Sequence, residues 1–376
     1  MGSSPALGTG SSSRQGVVMV HASVSVPVPP GDLPLPLLIT GISGVAGFCA
    51  FYHFHGLHPG SVIGIRPRST WKLTGPGIVP LDTEDYEGLE ELFRRHRFRS
   101  VLNTTGNCAL KSCELAPDMA YRTNVTSAVH MAQLARDYSA RLVHLSSDLV
   151  FSGKGEGNYD ESAEPDPVTV YGKTMAEGER RVAEIDPGAA ILRISLPMGP
   201  SFNGHAGAID WIKSRFRADR PATLYFDEVR SATYCDDLNR VFGYFLGSPA
   251  SGLYHSGGPR AVTLNQIGQI VNKAGGYDPC LLRGCLRHEA GPLPPRAGNC
   301  SMNSAKLHQL LGGNPFHPWP LGDELVPDDC DWHYHRRPGW PGSLAFLRQR
   351  LYRYPGEHSV VDGILAAHHR HHHAHS

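Results

Sequence analysis

Apolar residues along the first half of the chain switch between two spacings. Leu37-Leu38-Ile39 is a short apolar run that stops at Thr40-Gly41, and a helix-like apolar stretch covers residues 45–53. Residues 62–65 read as a second strand. Residues 85–97 carry Leu89, Leu92 and Phe93 at helical spacing, and Val101-Leu102 reads as the next strand. The pattern continues with a helix over 116–135, a strand over 141–145, a helix over 170–183 and a strand over 189–194. Regular alternation of this kind predicts an α/β fold: a Rossmann-type, doubly wound parallel sheet with helices on both faces.

After Ser195 the alternation breaks down and glycine, proline and aromatic residues increase. Residues 210–217 and 264–274 read as helices, 253–255 as a strand and 343–352 as a terminal helix. The spacing thus divides the chain into a dinucleotide-binding unit over 37–194 and a smaller substrate-binding portion over 195–338, interleaved with the sheet. Residues 339–376 form a terminal helix and a His-rich tail. Residues 1–36 are rich in Ser, Gly, Val and Pro, and read as a disordered leader outside the fold.

Composition narrows the functional classes. Lys plus Arg and Asp plus Glu are both 35, so the net charge is zero, and a nucleic-acid or acidic-membrane partner is not expected. No apolar run approaches the roughly 20 residues of a membrane span, and no secretory signal precedes the first strand, so the expected location is the cytoplasm. The eight cysteines contain no CxxC pair and read as free thiols in a reducing compartment. No metal site is expected, because the terminal histidines offer no fixed coordination geometry.

The candidate chemistry starts at the first strand–helix junction. Gly41, Gly44 and Gly47 stand in Thr40-Gly41-Ile42-Ser43-Gly44-Val45-Ala46-Gly47. In a dinucleotide-binding turn they serve a tight bend, close approach to a pyrophosphate, and helix–strand packing. Ser43, Val45 and Ala46 lie where the helix start offers free N–H groups to phosphate. The second strand runs into Arg66-Pro67-Arg68 rather than into a carboxylate. Two guanidinium groups there favour the 2′-phosphate of NADP over the bare ribose of NAD.

Several further segments resemble extended short-chain dehydrogenases, in particular the dTDP-4-dehydrorhamnose reductase group. These are His144-Leu145-Ser146-Ser147-Asp148-Leu149-Val150-Phe151, Val168-Thr169-Val170-Tyr171-Gly172-Lys173-Thr174, and Phe226-Asp227-Glu228-Val229-Arg230-Ser231-Ala232-Thr233-Tyr234. Asn103-Thr104-Thr105-Gly106, Gly252-Leu253-Tyr254-His255 and Pro295-Arg296-Ala297-Gly298-Asn299 extend the likeness over roughly residues 37–312. The resemblance implies Ser147 and Tyr171 as catalytic groups, with Asn124 supporting a proton-relay water. It adds Asp82, Asn103 and Tyr171 to the cofactor contacts, and Ser147, Asp148, Arg230 and Arg296 to the contacts with a nucleotide-sugar substrate. A homodimer is a further possibility.

One position departs from the group. A lysine four residues after the tyrosine lowers the phenol pKa and holds the nicotinamide ribose, but that place is Met175. Lys173 lies about 200° round the helix from Tyr171 and points away. Lys111 is a conceivable substitute. The sequence therefore leaves three readings open: an NADP-dependent reductase of a keto sugar nucleotide with impaired turnover, a non-catalytic binding protein that regulates a partner, and, more weakly, an epimerase or dehydratase. The regulatory β subunit of methionine adenosyltransferase is the precedent for the second.

Overall fold

The computed structural model describes residues 32–106 and 108–353. Most of the leader and the His-rich end of the tail lie outside the described residues. The expected leader boundary at Pro36 moves. Asp32 to Pro36 belong to the described chain, with the Pro34 and Pro36 carbonyls accepting hydrogen bonds from Ser100 Oγ and the Arg99 amide.

Seven strands make one sheet: β1 (Leu37–Thr40), β2 (Val62–Arg66), β3 (Ile78–Pro80), β4 (Ser100–Asn103), β5 (Arg141–Ser147), β6 (Ala190–Ile194) and β7 (Gly252–Ser256). Their spatial order is β7-β6-β5-β4-β1-β2-β3, and every neighbouring pair is parallel. The order reverses between β1 and β4, which opens a crevice at the carboxyl ends of these two strands. Ligands of such sheets bind there. β7 comes from the later half of the chain, so the interleaving expected from the sequence is built into the sheet itself.

The helices are α1 (Val45–Leu57), α2 (Tyr86–His96), α3 (Leu110–Leu115), α4 (Pro117–Tyr121), α5 (Ser127–Asp137), α6 (Val170–Ile185), α7 (Gly207–Arg217), α8 (Cys235–Leu246) and α9 (Leu264–Gly275). Leu37, Leu38 and Ile39 are fully buried, as a strand covered on both faces requires. On one face Phe48, Phe51 and Phe54 of α1 share a core with Val241, Phe242 and Phe245 of α8. On the other, Leu89 and Phe93 of α2 meet Met131 and Ala132 of α5. Each large side chain so buried contributes about 1.5–3 kcal/mol.

A buried ionic group ties β5, β6 and α6 together. Arg193 donates to both Glu179 oxygens at 2.8 Å and meets the His255 ring at 3.1 Å, and Ser146 Oγ donates to Glu179. Losing one member of such a pair costs about 3–5 kcal/mol, since the other charge is then stranded. No helix among the described residues is long and apolar enough to cross a membrane.

A second core gathers Ile209, Ile212 and Phe216 of α7, Ile267, Ile270 and Val271 of α9, and Trp319, Leu347, Leu351 and Tyr352 from the end of the described chain. The C-terminal segment is pinned there by Trp319 Nε1 on the Leu351 carbonyl at 3.1 Å. Lys213 Nζ reaches the Tyr352 hydroxyl at 3.1 Å, and that hydroxyl donates to Asp210. Arg353 bonds Asp237 at 2.9 Å. The terminal helix read over 343–352 is a short α-turn, Leu344–Leu347, continued by a π-turn, Arg348–Tyr352.

Candidate functional site

The three glycines of the β1–α1 turn sit under different constraints. Gly41 has φ +65°, and a Cβ there would lie 2.7 Å from the Thr104 backbone. A Cβ on Gly47 would lie 2.3 Å from the Gly41 carbonyl oxygen, so bare glycine lets α1 press on the turn. Gly44 is different. Its backbone is extended, and an added Cβ would meet only the Gly41 oxygen, at 3.6 Å. Nothing in the protein requires glycine at Gly44, which suits a position kept clear for a ligand. Gly44 also caps α1 without any side-chain bond to the first turn. The N–H groups over Val45 and Ala46, beside Ser43, therefore face the crevice without a side-chain acceptor. In the loop after β4, Thr105 Oγ1 is buried and makes no hydrogen bond among the described residues. An open Gly44, an uncapped helix start and an orphaned hydroxyl fit a dinucleotide.

Two residues expected to contact the cofactor, Arg66 and Asn103, are engaged within the protein. Arg66 is buried, and its guanidinium donates to the Leu73 carbonyl at 2.5 Å and to the Pro67 carbonyl at 3.0 Å. It braces its own loop, because the end of β2 turns the side chain back under the 67–77 connection. Arg68 is exposed, and its amide donates to Asp82 Oδ1 at 3.0 Å, which brings Asp82 to the same rim. Asn103 is the second such residue. Parallel register sets it between Thr40 and His144. Its Oδ1 accepts from Thr40 Oγ1 at 2.6 Å and its Nδ2 bonds His144 Nδ1 at 3.0 Å. Burial holds the His144 ring neutral by pushing its pKa down to about 4. Asn103 is thus a tie across the sheet, and the neighbouring Thr104-Thr105-Gly106 backbone is what lies along the crevice.

Ser147 ends β5 and Tyr171 opens α6. Thr169 caps that helix by accepting from the Gly172 amide at 2.9 Å. A Cβ on Gly172 would come within 2.1 Å of the Leu149 carbonyl, so the first turn of α6 lies directly on the segment after Ser147. Tyr171 and Ser147 are both buried in this layer. Burial pushes the phenol well above its ordinary pKa. The Cys108 thiol and Asp148 push it the same way, while Ser147 and Arg230 pull it down.

Met175 is buried one turn on. A Cβ placed on Gly106 would lie 3.8 Å from Met175 Sδ and 3.6 Å from Asn124 Oδ1. Methionine thus fills the space below the crevice loop where the resemblance expects an ammonium. Asn124 sits in the π-turn Arg122–Thr126 and donates to Thr174 Oγ1 at 3.0 Å. Lys173 and Lys111 are both exposed, as the helix geometry predicts for the first. Arg230 is the cation whose charge reaches the phenol, a role the sequence did not suggest.

Asp148 and Arg230, the expected substrate contacts, are paired with each other. Arg230 Nε and Nη2 donate to the two Asp148 oxygens at 2.6 and 2.7 Å, and both residues are buried. Ser195 Oγ donates to Asp148 at 2.7 Å and Ser147 Oγ at 3.2 Å. A fork-shaped guanidinium matches a carboxylate in this way, so the two groups are engaged with each other in this layer. Arg296 is half-buried over the Tyr225 ring at 4.7 Å and stays at the margin of this layer.

A parallel sheet with a glycine turn at its reversal point, facing a Ser–Tyr pair at the end of the fifth strand, defines a Rossmann-type dehydrogenase architecture. The chain belongs to the RmlD substrate binding domain family, whose model matches residues 59–322. It is 29% identical over 255 residues to a dTDP-4-dehydrorhamnose reductase of Streptomyces griseus, covering 65% of this chain and 78% of that protein. It is 28% identical over 234 residues to a probable low-salt glycan biosynthesis reductase of Haloferax volcanii, covering 62% and 78%. A crystal structure of dTDP-4-dehydrorhamnose reductase from Bacillus anthracis in complex with NADP has the same fold, with a TM-score of 0.62, 20% identity and coverage of 75% and 95%.

Proposed function

We propose that this protein is an NADP-linked reductase of a keto group on a nucleotide-activated sugar, with proton transfer slowed by Met175. The observation that carries the reading is the buried Ser147–Tyr171 pair set against a turn whose Gly44 is free of any packing demand. Membership of a family with relatives named as dTDP-4-dehydrorhamnose reductases supports the substrate class. When bound, the reduced nicotinamide supplies a hydride to the carbonyl carbon. The protein's part is to hold the pyrophosphate at Gly44 and the start of α1, to polarise the carbonyl oxygen with Ser147 and to deliver a proton from Tyr171. Titration with NADPH and NADH by nucleotide fluorescence, followed by addition of dTDP-4-dehydrorhamnose and other 4-keto sugar nucleotides, tests it. The expected result is dinucleotide binding with slow, substrate-dependent loss of NADPH. Failure of either dinucleotide to bind would remove the reading.

Arg68 carries the proposed preference for NADP, and Arg66 does not. Arg68→Ala should weaken NADPH about tenfold or more and leave NADH unchanged, as loss of one charge-assisted phosphate contact implies. Arg66→Ala should lower thermal stability and weaken both dinucleotides equally. Equal loss of NADPH and NADH in Arg68→Ala would reopen NAD as the cofactor.

A further inference from the structure

We propose that Glu228 holds a proton at neutral pH and acts as a positioning residue, keeping Arg230 on Asp148 and so fixing Ser147. Two buried carboxylates flank one guanidinium in this layer. Asp148 takes the bidentate bond at 2.6 and 2.7 Å, whereas Glu228 Oε1 lies 3.7 Å from Arg230 Nη1. Glu228 Oε2 is buried and makes no hydrogen bond among the described residues. Arg230 gives both of its carboxylate hydrogen bonds to Asp148, and an ionised oxygen without a hydrogen-bond partner is costly in a buried site. The proton therefore belongs on the acid that is not satisfied, as in other carboxyl pairs that share a site.

The charges around Glu228 come from several elements. Arg230 stands on its own strand, Val229–Arg230, Arg296 and Arg287 come from the loops after α9, and Asp148 follows β5. Burial raises the Glu228 pKa and Asp148 adds to the rise, against the pull of Arg230, Arg296 and Arg287. Ionisation of Glu228 would let it compete for Arg230. Asp148 would then lose part of the bidentate bond that fixes its orientation, and Ser147, which donates to Asp148 at 3.2 Å, would shift with it.

The effect on stability has a definite sign. The folded carboxyl binds its proton more tightly than the unfolded one, whose pKa is about 4.3. Stability from this group is therefore full below that value and falls as the pH rises, until the folded-state carboxyl has ionised.

Infrared difference spectra between wild type and Glu228→Gln test the protonation without any turnover. The wild type should show the carbonyl stretch of a protonated carboxylic acid at neutral pH, and the variant should lack it. Spectra identical in that region would show that Glu228 is ionised and would overturn the proposal. The kinetic arm rests on the reductase reading. With NADPH and dTDP-4-dehydrorhamnose, Glu228→Gln should match wild-type kcat at neutral pH and lose the decline that wild type shows at alkaline pH. A neutral-pH loss in Glu228→Gln as deep as in Glu228→Ala would also overturn the positioning role. An infrared band in a protein that consumes no NADPH would leave the protonation standing and remove the reductase reading alone.

Discussion

Gly44→Val is expected to weaken NADPH by roughly 100-fold while the protein stays folded. The estimate is the upper end of the ~1–3 kcal/mol that an inserted branched side chain costs a close contact. The folded chain has room for the new side chain, because a Cβ at Gly44 meets a single atom at 3.6 Å and the backbone is extended. The helix start should lose about 1 kcal/mol by the exchange of glycine for valine at the cap, a fall of a few degrees in Tm. Gly47→Val is the contrast. Its Cβ would sit 2.3 Å from a carbonyl oxygen, so that variant should fail in folding rather than in binding. Fluorescence titration of NADPH beside a thermal melt distinguishes the two. A folded Gly44→Val with wild-type affinity would mean that the turn does not cradle a pyrophosphate.

Met175→Lys is expected to raise the rate of NADPH oxidation in a single turnover by about 10²-fold, the lower end of what proton transfer contributes. Tyr171 is buried, and its phenol lies well above the ordinary range chiefly because burial opposes the anion. The pull of Arg230 is shared with Asp148 and so is largely spent. An ammonium one helical turn away would favour the phenolate, so the pH at which the rate changes should also move down. Methionine and lysine are similar in length, so the exchange asks for little extra room. Tyr171→Phe should abolish the gain. Brisk turnover by the wild type that disappears in Tyr171→Phe would mean that another group already does the work of the missing cation.

The alternating half of the chain was legible because short strands buried on both faces carry apolar runs at their centres, as Leu37-Leu38-Ile39, Val101-Leu102 and Ala190-Ile191-Leu192 do. β3 was not foreseen, since Ile78-Val79-Pro80 is too short to show a period and ends in proline. The single helix read over 116–135 is α4, a π-turn and α5; Pro117 marks where α4 starts, and the π-turn over Arg122–Thr126 has no proline or glycine to signal it. α8 was missed although its signal is present: Leu238, Val241, Phe242 and Phe245 recur at helical spacing behind Asp236 and Asp237. At the site, local sequence revealed which residues stand where the chain turns, hence Gly44, Ser147 and Tyr171. It could not reveal which way arginines point. Arg66 and Arg230 look alike as charges, yet one braces a loop and the other meets an aspartate 82 positions away. Such pairings depend on how the layers stack, and no local period encodes them.

The way the last described residues close the second core bears on how this chain is made. The family match ends at residue 322, but Trp332, Leu347, Leu351 and Tyr352 complete that core from beyond it. The main sheet is equally dependent on late residues, because β7 at Gly252–Ser256 forms its edge beside β6. A chain emerging from the ribosome therefore carries a sheet with an open edge until β7 appears, and an open apolar core until residue 353 appears. Contacts so distant in sequence form slowly, and unpaired edges and bare cores invite association with other chains in the meantime. The two halves of the described chain are consequently expected to fold as one cooperative body, because the sheet and the second core are both completed by late residues.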